Sequence, residues 1–241
     1  MEPDGALHRR PEDRLRGRAL VPGGTAAESL ARVNHLPDAT YLLRQQLARY
    51  AGPDAERIGI SFTELNVDAG RNTQPAALFL ADVYSGLLEN GVFTAQWWNV
   101  HNGMGTVSEV AGHTDYGDFG MLSSGACTED GSVCQPPLNT PFAPYHGLGM
   151  MKLFAKTGDQ FVRAGTDEPL VTAHAVRRSN GDLAVLLVNK DPDNDHPVTI
   201  DYAGFTRRPS RRRSPPSPTA PPASPPASPA RRPAGHCRRT R

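Results

Sequence analysis

The run Ile58-Gly-Ile-Ser-Phe-Thr-Glu-Leu-Asn66, continued through the helix and strand between it and Trp98, decides the fold. From Ile58 to Thr63 apolar and small residues alternate in a β-rich stretch, the pattern of a strand buried on one face, and the strand ends at Glu64. A polar turn comes next. Pro75 to Glu89 then has the length of a helix, with Leu78, Ala81, Asp82, Tyr84, Ser85 and Leu88 mixing packing and polar positions. Pro75 suits its first turn and Gly91 its stop. Val92-Phe-Thr-Ala-Gln-Trp-Trp98 is a second strand. Strand, helix and strand joined by short connections form a βαβ unit, which requires parallel neighbours and a right-handed crossover.

Working outward, Val21-Pro-Gly-Gly-Thr25 is a turn, and Asp38 is placed to cap a helix running to about Tyr50. Leu42, Leu43 and Leu47 lie at helical spacing, and Gly52-Pro53 is the stop. Residues 1–20 are Arg-rich and aperiodic, so no element is placed on them and disorder is expected. Beyond Trp98 come some forty residues rich in Gly, Asp and Ser, too long for a mere connector and therefore a candidate binding face. Tyr145 to Lys156 reads as a helix. The period then switches to two over Gln160 to Ala164, Leu170 to Arg178, Asp182 to Asn189 and Pro197 to Tyr202, with Asn180-Gly181 as a hairpin turn. The chain is thus α/β over 21–156, followed by a small antiparallel β-sandwich over 157–206.

The pattern stops at Phe205-Thr206. Residues 207–241 contain ten Arg and ten Pro and no Asp, Glu or Lys, and cannot form a core, so a disordered tail is expected. Either this is a natural basic Pro-rich tail, or it is a GC-rich gene translated out of frame. The break inside an expected sandwich strand favours the second. Removing those ten arginines takes the formal charge from +1 to −9. An acidic body with no aromatics in its basic tail argues against nucleic acid as a partner, since phosphate binding draws on clustered cations and base binding on stacking rings. It suits an enzyme acting on a neutral substrate. No run approaches the ~20 apolar residues that span a bilayer, and Met1 to Arg18 contains no signal peptide.

Cys127 and Cys134 flank a Gly/Ser/Thr-rich surface loop. Joined, they imply an oxidising compartment and stabilise by roughly 2 to 3 kcal/mol on the chain-entropy estimate; apart, they are two loop thiols. No further ligands stand near enough in sequence to make the pair a metal site. His101, His113, Asp115 and Asp118 share one polar loop, but their spacing matches no compact metal motif, and a solvated loop accounts for them better. Ser124 lacks the nucleophile-elbow pattern. Asp82, inside the long helix, reads as a packing or capping residue. Glu64 stands at the carboxyl end of a strand in a βαβ unit, where catalytic groups of such folds collect, although on position alone a surface glutamate is the commoner outcome. Gln96-Trp97-Trp98 at the end of the next strand shifts that balance. Aromatic faces pack on the CH faces of sugar rings, and Gln96, Asn99, His101 and Asn102 can bond hydroxyls.

Ile60-Ser-Phe-Thr-Glu64-Leu-Asn66, Ala76-Ala-Leu-Phe-Leu-Ala-Asp82 and Gly91-Val-Phe-Thr-Ala-Gln-Trp-Trp98-Asn-Val-His101 together resemble strands seven and eight of the clan-A retaining glycoside hydrolases. Within that clan the resemblance is closest to secreted actinobacterial proteins of the α-L-arabinofuranosidase type. It covers roughly residues 38–206, implies the clan more specifically than the substrate, and implies that 21–156 is the C-terminal part of a (β/α)8 TIM barrel. By the resemblance Glu64 matches the nucleophile and Trp98 the ring lining the sugar subsite, with Asn66, Gln96, Trp97 and His101 around them. The implied partner is an oligo- or polysaccharide with arabinofuranoside or xyloside bonds, and the implied chemistry, two carboxyl groups about 5 to 5.5 Å apart, uses no cofactor and no metal. In the clan the acid/base is a glutamate following an asparagine at strand four. No Asn-Glu dipeptide precedes Glu64, and Ala19, Leu20 and Val21 stand where a strand-six His-Trp-Tyr is expected ahead of Pro22-Gly23-Gly24. The expectation is therefore a fragment without turnover of its own. A non-catalytic carbohydrate-binding protein is the alternative.

Overall fold

The computed structural model describes residues 15–205; the expectations for the N-terminal fourteen residues and for the 207–241 tail lie outside them. Three parallel strands, β1 (Leu15–Leu20), β2 (Gly59–Leu65) and β3 (Thr94–Trp97), form one sheet in the order β1-β2-β3. Between β1 and β2 run α1 (Ala26–Arg32), a 3-10 turn (Val33–His35), α2 (Leu36–Ala51) and a second 3-10 turn (Gly52–Arg57). Between β2 and β3 runs α3 (Gln74–Glu89). The βαβ unit read from the sequence is therefore present, and a second crossover precedes it.

Residues 15–20, where the sequence alone places no element, form β1. Leu-Arg-Gly-Arg-Ala-Leu has no alternation to announce a strand, and its ladder partner lies about forty residues away in β2. Helix α1 starts at a capping box: the Thr25 hydroxyl accepts from the Glu28 N–H at 3.2 Å and the Glu28 carboxylate accepts from the Thr25 N–H at 2.7 Å. Asp38 does not cap α2; the helix begins at Leu36 with Pro37 in its first turn, so Asp38 sits inside that turn.

Helix α3 carries the core. Its buried residues face all round, as expected of a helix with protein on both sides. Ala76, Phe79, Val83 and Leu87 pack with Ile60, Phe62 and Leu65 of the parallel sheet and with Leu30, Val33 and Leu36. Leu80 and Ala81 pack with Met151 and Phe154 of α4 (Ala143–Phe154) and with Val176, Leu186 and Val188. Gly147 allows α4 to lie against α3, for a Cβ there would meet the Ala77 carbonyl oxygen at 2.6 Å.

Strands β6 (Gln160–Val162), β7 (Val171–Arg177) and β8 (Leu183–Asn189) form an antiparallel sheet in that order, and the Asn180-Gly181 turn joins β7 to β8 as expected. Its inner face is covered by α3 and α4, and no second sheet faces it among the described residues. The fourth expected strand is not formed: Pro197 to Tyr202 has no ladder partner among the described residues, and Val198, Ile200 and Tyr202 are all exposed. The forty-residue loop after β3 contains a short hairpin, β4 (Ser108–Val110) with β5 (His113–Asp115). Mixed α/β architecture with small antiparallel sheets is thus established, and among the described residues the parallel sheet is open, not closed into a barrel. No helix among the described residues is long and apolar enough to cross a membrane.

Candidate active site

Strict alternation along β2 would put Glu64 on the same face as Ile60 and Phe62, against the helices. The register shows otherwise. Phe62 stands opposite Ala95 and Leu65 opposite Trp97, so β2 passes three residues where β3 passes two. On its other edge β2 passes from Phe62 to Glu64 while β1 advances one residue, from Arg18 to Ala19. Both neighbours therefore report one extra residue in β2 at Thr63-Glu64, a β-bulge, and bulges re-aim side chains. Leu65 replaces Glu64 in the core and is fully buried, while Thr63 and Glu64 are left off that face. The Glu64 carboxylate is half-buried and has no hydrogen-bond or ion-pair partner among the described residues.

On β3 the same logic separates the neighbours. Ala95 and Trp97 pack against the core, and Trp97 lies 6.3 Å from the Phe79 ring. Trp97 therefore faces the helices, where its Nε1–H is buried without an acceptor among the described residues. Its backbone is close to the Tyr84 hydroxyl, which burial pushes up to about 12 despite that contact. Gln96 is exposed on the opposite face, at the register level of the bulge, and its amide donates to the Thr94 hydroxyl at 3.0 Å. Trp98, one residue past β3, is 47% exposed and its indole N–H donates to Asn102 Oδ1 at 3.3 Å. Glu64, Gln96 and Trp98 thus gather at the carboxyl ends of β2 and β3.

Asn66 has a different place. It is fully buried, its amide donates to the Trp98 and Phe119 carbonyls, and its Oδ1 accepts from the Val67 N–H at 2.7 Å. Its backbone N–H donates to the Leu20 carbonyl at 3.2 Å. These bonds tie the carboxyl ends of all three strands together. The β2–α3 loop is stitched to the loop after β3 in the same way. Asp115, buried, accepts from the N–H groups of Gly70 at 2.7 Å, Arg71 at 3.2 Å and Gly117 at 3.0 Å. The Arg71 guanidinium lies 4.0 Å over the Phe119 ring and donates to the Gly117 carbonyl. Asp118, also buried, accepts from the Gly120 N–H and the Gln135 amide. Asp115 and Asp118 hold loops, and no cluster of three His, Cys, Asp or Glu residues able to hold a metal occurs among the described residues.

Cys127 and Cys134 are joined in a disulfide across a small antiparallel turn. Inside it the Thr128 hydroxyl and the Ser132 N–H and hydroxyl all donate to Asp130, which holds that carboxyl down at about 2.

Two pairings lie beyond the reach of local sequence pattern. His101, exposed, bonds Asn139 Oδ1 through Nε2 at 2.8 Å across 38 residues of sequence. Behind the site, buried Asp82 accepts from His174 Nε2 at 2.8 Å and from the Lys190 ammonium at 3.2 Å, while Glu89 accepts from His174 Nδ1 at 3.0 Å. Asp82 is thus the centre of a charged network and more than a packing or capping residue; its partners stand far along the chain. Burial alone pushes His174 down, but the hydrogen bonds and charges of Asp82 and Glu89 outweigh it and raise the group to about 9.

Comparison with protein-family models and with curated proteins returned no match.

Proposed function

We propose that this chain carries the nucleophile half of a retaining glycoside-hydrolase site, built on the last strands of a (β/α)8 barrel and directed at arabinofuranoside or xyloside bonds of plant polysaccharide side chains. The observation that supports this most is the bulge at Thr63-Glu64, which removes Glu64 from the helix-facing side and leaves its carboxylate uncommitted among the described residues, at the same strand ends as Gln96 and Trp98. A carboxylate outside an ion pair keeps its lone pairs available for attack, and an exposed ring at the same strand ends gives a sugar a face to stack on.

In the reaction Glu64 attacks the anomeric carbon as the glycosidic C–O bond breaks. The leaving oxygen takes a proton from a second carboxyl group, and the ester so formed is hydrolysed by a water that returns its proton to that same group. Gln96 and Trp98 orient the ring. Trp97 and Asn66 support the site from the core without touching substrate. The second carboxyl group has no candidate in the form the resemblance requires, an Asn-Glu upstream of Glu64. We accordingly propose no turnover by the chain alone. That same feature favours the second reading, a carbohydrate-binding protein without catalysis. The Cys127–Cys134 disulfide supports a secreted parent protein, since such bonds persist in oxidising compartments.

The test is hydrolysis of a chromogenic arabinofuranoside by the chain joined to its upstream coding sequence. Loss of activity in Glu64→Ala with retained folding supports the nucleophile, and an unchanged rate refutes it.

A further inference from the structure

Beyond β3 the backbone is built into a platform. The Asn99 N–H donates to the Phe119 carbonyl at 3.2 Å, that of Met121 to the Asn99 carbonyl at 3.0 Å and that of Leu122 to the Val100 carbonyl at 2.9 Å. On the far side Ser123 donates to Thr140, Asn139 to Ser123 and Phe142 to Met121, each at 2.9 Å. Residues 121–123 therefore run between 99–100 and 139–142, and the layer continues directly from the end of the β3 strand. Beneath it, buried Gln135 donates to Asp118 at 2.8 Å and accepts from the Ser124 N–H at 3.0 Å and hydroxyl at 2.7 Å, which anchors the segment leading to Leu138 and Asn139.

What this platform exposes is unusual in kind. Trp98, Val100 and Leu138 are 47%, 58% and 62% exposed, and His101, Asn102 and Asn139 are exposed beside them in sequence, Asn102 bonded to the Trp98 indole and Asn139 to His101. Asn139 holds a left-handed φ of 68°, a conformation asparagine adopts readily, and its amide oxygen bonds His101. None of the six side chains is an Asp, Glu, Lys or Arg, so the surface carries no fixed charge and is matched to a neutral ligand. Apolar faces alternating with neutral amides and an imidazole are complementary to a sugar, whose ring has CH faces and a rim of hydroxyls. Because the platform is rigidly bonded, a ligand would order little on binding.

We propose that His101, Leu138 and Asn139 form a second sugar subsite, which takes the ring adjoining the one held at Glu64 and Trp98 in a neutral oligosaccharide. This rests on the reading of Glu64 and Trp98 as a glycoside site. Asn139 and His101 bond the hydroxyls of the second ring, exchanging their mutual hydrogen bond for bonds to the ligand, and Leu138 packs on its CH face.

The experiment is a titration of the full 241-residue chain with xylose, with arabinose and with an arabinose-substituted xylotetraose, followed by the Trp98 indole N–H resonance and by calorimetry. Asn139→Gly removes the amide and keeps the left-handed backbone; His101→Ala removes the other arm. Asn139→Gly is expected to weaken the tetrasaccharide about five- to tenfold, the effect of one hydrogen bond, and to leave the monosaccharides unchanged; His101→Ala is expected to weaken the tetrasaccharide to the same extent. Trp98→Phe weakens every sugar. If Trp98→Phe weakens the tetrasaccharide but neither Asn139→Gly nor His101→Ala does, the second subsite is overturned and the site at Glu64 stands. If no sugar moves the Trp98 resonance in the unaltered chain, both readings fall.

Discussion

Leu65 stands opposite Trp97 across the β2–β3 ladder, one residue out of step with the Phe62–Ala95 pair before it. That offset decides which of two adjacent side chains enters the core. With it, Leu65 is buried at 0% exposure and Glu64 is turned away; without it, the carboxylate would sit among Ile60, Phe62 and Phe79.

The core position that the offset assigns to Leu65 should therefore not accept a charge. Leu65→Glu places a carboxylate in the apolar layer, at a cost of several kcal/mol. Glu64→Gln, by contrast, changes a half-exposed group with no described partner, and is expected to leave stability within about 0.5 kcal/mol. Urea unfolding of both variants checks the pair; equal stability of Leu65→Glu and Glu64→Gln would show that the offset does not decide which of the two side chains enters the core.

His174 bonds a carboxyl group through each ring nitrogen, Asp82 through Nε2 and Glu89 through Nδ1, an arrangement that the doubly protonated ring fits, and Lys190 also donates to Asp82. The folded protein binds the His174 proton more tightly than the unfolded chain, about 9 against 6.5. The contribution is complete below pH 6.5 and is lost as pH rises through about 9. It is on the order of 3 kcal/mol. Unfolding free energies measured from about pH 6 to about pH 9.5 should fall over that window, and the fall should vanish in His174→Gln.

Two glycines of α4 should respond in opposite senses. Gly147→Ala drives a methyl group into the Ala77 backbone, whereas a Cβ at Gly149 meets nothing within 4 Å. The first should cost about 1 to 3 kcal/mol by overpacking, and the second should stabilise by up to about 1 kcal/mol through helix propensity. Thermal melts of the two single variants suffice to compare them.

The Cys127–Cys134 bond closes a short loop, with the cysteines 7 residues apart. Chain entropy sets its contribution at about 2.5 kcal/mol. Reduction, or Cys127→Ser with Cys134→Ser, should lower the melting temperature without changing the far-ultraviolet circular dichroism, because Asp130 and the Gln135 anchor hold the turn's neighbours independently.

Much of the secondary structure was legible because its causes are local. The Pro75 start and Gly91 stop of α3, the stop at Gly52 and the Asn180-Gly181 turn each depend on residues within one or two turns of chain. β1 was not legible, since its residues lack a pattern and its ladder is supplied by β2. Pro197 to Tyr202 shows the converse: its alternation is a strand's, but alternation without a ladder partner leaves backbone groups to water. Of the candidate residues, Glu64, Gln96 and Trp98 lie off the core side at the strand ends, while Trp97 and Asn66 belong to the core side and the strand junction, a difference that residue type alone does not show.

The sequence by itself determined that a glutamate would end a parallel strand beside a pair of tryptophans, because strand and helix periods are written in consecutive residues. Only the tertiary structure decided that Glu64 faces away from the core, that Trp98 and not Trp97 is presented, and that His101 meets Asn139. Those three outcomes are set by register between strands and by contacts across tens of residues, where one inserted residue reverses a side chain's face.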